Sequence, residues 1–318
     1  MSLNDLKVYS EYAYSTRTEI LQQQFEKFNS DSAGAIVLRA AAHQGDFSEE
    51  AFFQKIVGGT VRRRNPYGSG AIAESNLVHI ANRSVKVASG TPPMRIDPGQ
   101  FKWIQRNPQE AGVALGQQLA ADTMADMLNT GLGAAYAALS GVTGVVHDVR
   151  GVAGAPNWKD FVAGAGLFGD QSSRIVAWVM HSAVATSLYE NNLTNFENLF
   201  SFGTVNVMRD PFGRLLVITD SPSLVAAGTY HVLGLVQEAI YLGQNNDFDA
   251  VEENKTGDEN LIRVYQAEWS FNLGIQGFAW DTATGGKAPT DASILTGTSW
   301  ERYSTDIKNL AGVVIETN

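Results

Sequence analysis

The chain offers five imidazoles for acid–base or metal chemistry: His43, His79, His147, His181 and His231. No two of them stand at a ligand-like spacing, and His147-Asp148 is the only place where a histidine adjoins an acid. His181-Ser182 has the residue types of a base and a nucleophile. It follows the apolar run Arg174–Met180, however, and adjacent residues on a strand point to opposite faces, which opposes the geometry such a pair needs. Carboxylates gather at Asp247, Asp249, Glu252, Glu253, Asp258 and Glu259, without the spacing of a calcium loop. That run reads as a solvated charged loop before it reads as a cation site. The nearest approach to a phosphate-binding loop, Gly285-Gly286-Lys287, has Asp281 where the first glycine belongs and Ala288 where the hydroxyl belongs. These patterns assign no catalytic residue, no cofactor site and no metal site.

The remaining reactive types are limited by composition. The chain has no cysteine, which removes disulfides, thiolate zinc sites and thiol nucleophiles and suits folding in a reducing cytoplasm. A formal net charge of −10 over 318 residues argues against a protein whose main task is gripping phosphate backbones. The first residues, with Asp5 and Glu11 and no apolar core segment, do not read as a secretory signal. One uncharged run, Met127–His147, approaches the length of a membrane span, but Gly131, Gly133, Gly141 and Gly144 with their polar neighbours dilute it.

The elements that would position these residues follow from periodicity. Leu6, Tyr9, Ile20, Leu21, Phe25 and Phe28 mark an N-terminal arm with one helix and a break near Ser15 and Thr16. Such an arm either packs on its own domain or reaches a neighbouring subunit. Between Gln44 and Pro98, glycines, prolines and short alternating runs indicate a long β-hairpin or loop excursion. Within it, Arg62, Arg63 and Arg64 form either a solvated turn or a set of ion pairs to acidic patches on an adjacent copy.

Asn107-Pro108-Gln109-Glu110 places an N-cap, a proline at the first helical position and a capping acid at the third. A stripe from Val113 to Leu139 then predicts a spine of up to about eight turns, about 45 Å. After His147 the pattern is mixed. It predicts a strand over Arg174–Met180, a short helix over Ser182–Asn192 and strands at Leu215–Ile218, Tyr230–Leu235 and Ala239–Leu242. Long strands follow within 261–280, and a final one at Gly312–Ile315.

Phe168-Gly-Asp-Gln-Ser-Ser-Arg174 running into IVAWVMHSAVATSLYENNL, Ile175 to Leu193, resembles a segment of phage major capsid proteins. GRLLVITDSP at 213–222 and TYHVLGLVQEAIYLG at 229–243 resemble that family's next strand and the paired strands after it. FNLGIQGFAW, APTDASILTGTSWERY and DIKNLAGVVIETN then follow in family order from Phe271 to Asn318. The blocks cover roughly 160–318, and their order carries the resemblance more than any single motif.

The resemblance implies an α+β fold of the Hong Kong 97 capsid type. Its parts would be an N-terminal arm at 1–44 and an extended hairpin loop at 45–98. A peripheral domain with the spine helix would take 99–149, an axial α/β domain 150–265, and return strands of the peripheral domain 266–318. It further implies a non-enzymatic subunit that assembles with itself into hexamers and pentamers of an icosahedral shell. Scaffolding, portal and decoration proteins are the implied partners, together with weakly held double-stranded DNA and no membrane. The implied location is the virion, assembled in the bacterial cytoplasm. A nanocompartment shell of the encapsulin type shares the fold. A minor vertex protein, and a hydrolase built on His181 or His147, are further alternatives.

Overall fold

The computed structural model describes residues 3–41, 47–53, 64, 66–72, 79–96, 107–152, 156–191, 197–202, 205–209, 213–226, 228–255 and 262–318. Tyr9, Ala13, Arg17, Leu21, Phe25 and Phe28 recur at steps of three and four, and all are buried. That stripe winds Leu3–Asp31 into one helix, α1. The break expected near Ser15 and Thr16 does not occur. The Ser15 hydroxyl donates to Tyr12 O at 3.2 Å and the Thr18 hydroxyl to Tyr14 O at 2.9 Å, so these polar side chains bond back onto the helix's own carbonyls. The helix ends through Ala33 and Gly34 at positive φ. Asn29 then pairs with Leu38 in both directions, at 2.6 and 2.9 Å, covering part of a strand edge with its amide.

In chain order the next elements are β1 (Ile36–Ala41), β2 (Phe47–Phe53), β3 (His79–Gly90), β4 (Met94–Ile96), α2 (Pro108–Ser140) and β5 (Val146–Asp148). They are followed by α3 (Trp158–Gly166), β6 (Ile175–Met180), α4 (Ser182–Asn191), β7 (Glu197–Phe202), β8 (Val205–Arg209), β9 (Leu215–Thr219) and β10 (Val225–Ala226). The last are β11 (Thr229–Val236), β12 (Ile240–Asn245), β13 (Asp249–Lys255), β14 (Ile262–Ile275), β15 (Phe278–Trp280), α5 (Asp291–Ile294), β16 (Trp300–Arg302) and β17 (Gly312–Thr317).

Among the described residues these strands make two sheets. In the first, β14 is the hub: it pairs with β12 and β13, with β3 and β4, and with β15, while β1 lies parallel to β12 and β2 antiparallel to β3. The β2–β3 ladder, from Phe47↔Val85 to Phe53↔His79, is the hairpin excursion that the glycines and prolines predict. In the second sheet the order is β5-β17-β11-β6-β9-β8-β7, with β6 and β9 parallel around α4. Its core is Trp178, fully buried, with Phe161 of α3 edge-on at 5.1 Å.

Two local expectations meet a different arrangement. β11 and β12 do not pair with each other, because the chain crosses between sheets at Gln237-Glu238: β11 lies between β17 and β6, and β12 between β1 and β14. The acidic run is not a loop throughout, since Asp249–Lys255 forms a seven-residue antiparallel ladder with β14. Within 262–318, β14 to β16 belong to the first sheet and β17 to the second.

α2 starts where its cap predicts and runs 33 residues, about 50 Å. Asn107 Oδ1 accepts from the Glu110 N–H, and Asn107 Nδ2 donates to Glu110 Oε2 at 2.6 Å. Near its start α2 meets α1 through Gly112 and Gly116. A Cβ there would lie 2.6 Å from Tyr9 O and 2.7 Å from Ala13 O, so the two backbones touch only because both side chains are missing. Gly116→Val should lower the unfolding free energy by about 1–3 kcal/mol through overpacking, read by denaturant titration. An unshifted midpoint would mean that α1 is not held against α2 at this contact.

Candidate functional site

The structure scatters the described histidines over separate elements. His181 is the N-cap of α4: its carbonyl accepts from Ala185 N–H and its Nδ1 accepts from Ala183 N–H at 3.2 Å. Its Nε2 stands 3.9 Å from Asp220 Oδ1. Ser182 opens the helix and is not a strand neighbour. Beside His147 on β5, the Asp148 carboxylate is held by Arg150 through Nη2 at 2.6 Å, Nε at 2.9 Å and its own N–H at 3.0 Å. These bonds keep the Asp148 pKa down at about 2. His79 opens β3, and His43 lies outside the described residues.

Of the three arginines, Arg62 and Arg63 lie outside the described residues. Arg64 is exposed, in the segment joining β2 to β3, and Tyr67 (96% exposed) and Ile72 (59%) follow it.

Of the acidic run, Asp247 is committed to structure. Asp247 accepts from Ser270 N–H at 2.9 Å and from the Ser270 hydroxyl, and pairs with Lys86 at 3.0 Å. Burial alone would raise its pKa, but these partners outweigh it and the value is lowered. Asp258 and Glu259 lie outside the described residues. Among the described residues no group of three or more histidines and acids could hold a metal ion, and no helix is long and apolar enough to cross a membrane.

Two buried polar clusters escaped the sequence reading. In the first, Arg17 of α1 is fully buried, its guanidinium 4.7 Å from the Phe248 ring and 4.8 Å from the Trp269 ring, with Thr123 Oγ1 of α2 at 3.4 Å. Burial holds its pKa down to about 10. On the same sheet face, Glu252 stands opposite Tyr265 in the β13–β14 ladder, and burial pushes its carboxyl up to about 7. The signal for Arg17 was its register, four residues from both Ala13 and Leu21 in the apolar stripe. The second cluster joins α2 to the second sheet. Tyr136 donates to Glu316 Oε1 at 3.2 Å, Arg150 pairs with Glu316 Oε2 at 3.1 Å, and His231 stacks on Tyr136.

A cavity of about 310 Å³ opens at the C-terminal end of α2, between Ala138, Val142, Thr143, Phe278, Trp300 and Arg302. The Arg302 guanidinium is turned to the backbone, donating to Ser304 O and Thr305 O at 2.6 and 2.7 Å. The cation beside the cleft is therefore already engaged by the backbone.

The geometry describes a body in which a long first helix packs on the spine, a hairpin joins β14 through β3, and two sheets both touch α2. That body superposes over 92% of its length on 92% of a chain described as the cyanophage Pam1 capsid asymmetric unit, with a TM-score of 0.51 at 10% identity. A chain from Microbacterium phage Oxtober96 gives 0.49 at 12% identity over 90% of each chain. The capsid of Ralstonia phage GP4 gives 0.49 at 10%, over 91% of this chain and 90% of the other. No curated protein matches by sequence. The fold is thus that of Hong Kong 97-type phage capsid proteins. A sequence model described as Gp13-like, major capsid protein 13-like, matches residues 5–314, and the chain belongs to that major capsid protein family. Its role is that of a structural shell subunit, assembled in many copies and carried in the virion.

Glu252 has an ordinary pKa of 4.5 and a folded one raised to about 7. A raised carboxyl costs stability as pH climbs from the first value to the second. Glu252→Gln should match the parent chain below pH 4.5 and exceed it in thermal midpoint above pH 7. Equal midpoints at both ends would show that Glu252 is solvated.

Proposed function

We propose that the shell built from this chain encloses double-stranded DNA and that the chain works entirely by assembly, with no reaction assigned to it. The family match over residues 5–314 carries this reading. Residues 1–44 would serve as arm, 45–98 as extended loop, 99–149 as peripheral domain with the spine, 150–265 as axial domain and 266–318 as return strands. The net charge of −10 supports a wall that attracts phosphate weakly, so that a genome can be packed and released. A chain without cysteine suits assembly in a bacterial cytoplasm, with scaffolding and portal proteins as partners in building the head and decoration proteins on its surface.

Arg62, Arg63 and Arg64 would pair with acids of a neighbouring copy. Many modest contacts of this kind sum to a stable shell when symmetry closes them. Replacing all three by Ala should leave the circular dichroism and thermal midpoint of the free chain unchanged. Shell yield should fall, and the shells that form should be less sensitive to added salt, measured by velocity sedimentation across a salt series. Parent-like yield and salt response would remove the arginines from the interface. Nuclease-resistant DNA of genome length inside purified particles tests the cargo, and particles filled with protein would overturn it.

A further inference from the structure

His231 is 3% exposed, and among the described residues neither of its ring nitrogens has a hydrogen-bond partner. The ring lies flat on Tyr136 of α2, centroids 3.8 Å apart and planes 18° apart. In the β11–β17 ladder it stands directly opposite Glu316. That acid already accepts from the Tyr136 hydroxyl with one oxygen and pairs with Arg150 through the other. The titratable and charged groups around the ring are therefore Tyr136 from α2, Glu316 from β17, and Asp148 and Arg150 from the end of β5 and the turn after it.

A neutral imidazole suits this place. It offers a flat face to Tyr136, and the stack compensates for part of its lost hydration. An imidazolium does not: it would enter a dry site whose one nearby acid is already engaged by a cation and a hydroxyl, with Arg150 repelling it. The site also joins the subunit's parts, since Tyr136 belongs to the third of α2 that touches both sheets.

We propose that His231 is an acid-sensitive latch, whose protonation drives the β11–β17 ladder away from the C-terminal third of α2 and loosens the hold of the second sheet on the spine. The latch belongs to the chain's own packing and stands whether or not the shell encloses DNA. Burial lowers the ring's affinity for a proton below the ordinary value of 6.5, outweighing the attraction of Glu316. A histidine shifted in this direction contributes fully above pH 6.5, and its contribution is lost as pH falls from there toward the folded value. Across that interval the opening equilibrium can rise by up to about tenfold per pH unit, the slope of one proton.

The test is hydrogen exchange with mass spectrometry on the full chain, from neutral pH downward and corrected for the intrinsic rate. Peptides covering Thr229–Val236 and Gly312–Thr317 should lose protection below pH 6.5 in the parent chain, and hold it in His231→Phe, which keeps a ring on Tyr136 but cannot take a proton. Equal loss in both chains, or no loss in the parent, overturns the latch. Should the variant not fold, NMR of the labelled histidine Cε1 in the parent chain replaces it. A His231 midpoint below 6.5 that moves together with loss of ladder protection supports the latch. Titration at or above 6.5, or titration uncoupled from protection, overturns it.

Discussion

The C-terminal third of α2 is buried on every side, and the rest of the subunit is arranged around that constraint. From Gly131 to Leu139 all residues but Tyr136 are buried, and Tyr136 itself reaches the second sheet. A Cβ on Gly131 would touch Ile240 and Leu242 of the first sheet, and one on Gly297 would meet Ala137 O. A helix apolar all round must be enclosed. Here two sheets and the C-terminal turns supply the enclosure, which is why the chain crosses between sheets at Gln237-Glu238 and again before β17. The spine is therefore the part through which a push on one sheet reaches the other.

Farther from that centre, polar groups settle how the periphery attaches. α1 lies against α2 through Gly112 and Gly116 and is pinned by Arg17, a buried cation held by two aromatic faces and a hydroxyl. Removing a cation from water costs much of what its contacts return, so this attachment fixes position more than it adds stability. The same holds at Glu316, where one carboxylate orders a helix, a strand and a turn. The Lys308–Asp170 pair and Arg174, which donates to Lys308 O, tie the turn before β6 to the turn before β17.

Local signals in the sequence are legible where local physics decides the outcome. Asn107-Pro108 starts α2 because the cap is made by neighbouring residues. Ile175–Met180 and Leu215–Ile218 become strands because fully apolar runs of that length are enclosed on both faces. The Ser15-Thr16 break failed because hydroxyls that favour turns in isolation can bond inside a helix when the buried stripe continues past them. β11 and β12 look like a hairpin in one dimension, and only the competing partners β17 and β14 separate them. Arg17, Glu252 and His231 gave no motif, because what distinguishes them is burial among residues distant in the chain. The order of the blocks from Phe168 to Asn318 carried the family resemblance that no single residue could.

A single-particle reconstruction of the particles that contain this chain would test the central claim most directly. An icosahedral shell is expected in which this chain is the repeating unit, each copy showing α2 as one continuous helix between two sheets. Particles whose wall is built from another protein, with this chain confined to a vertex or absent from the shell, would contradict it.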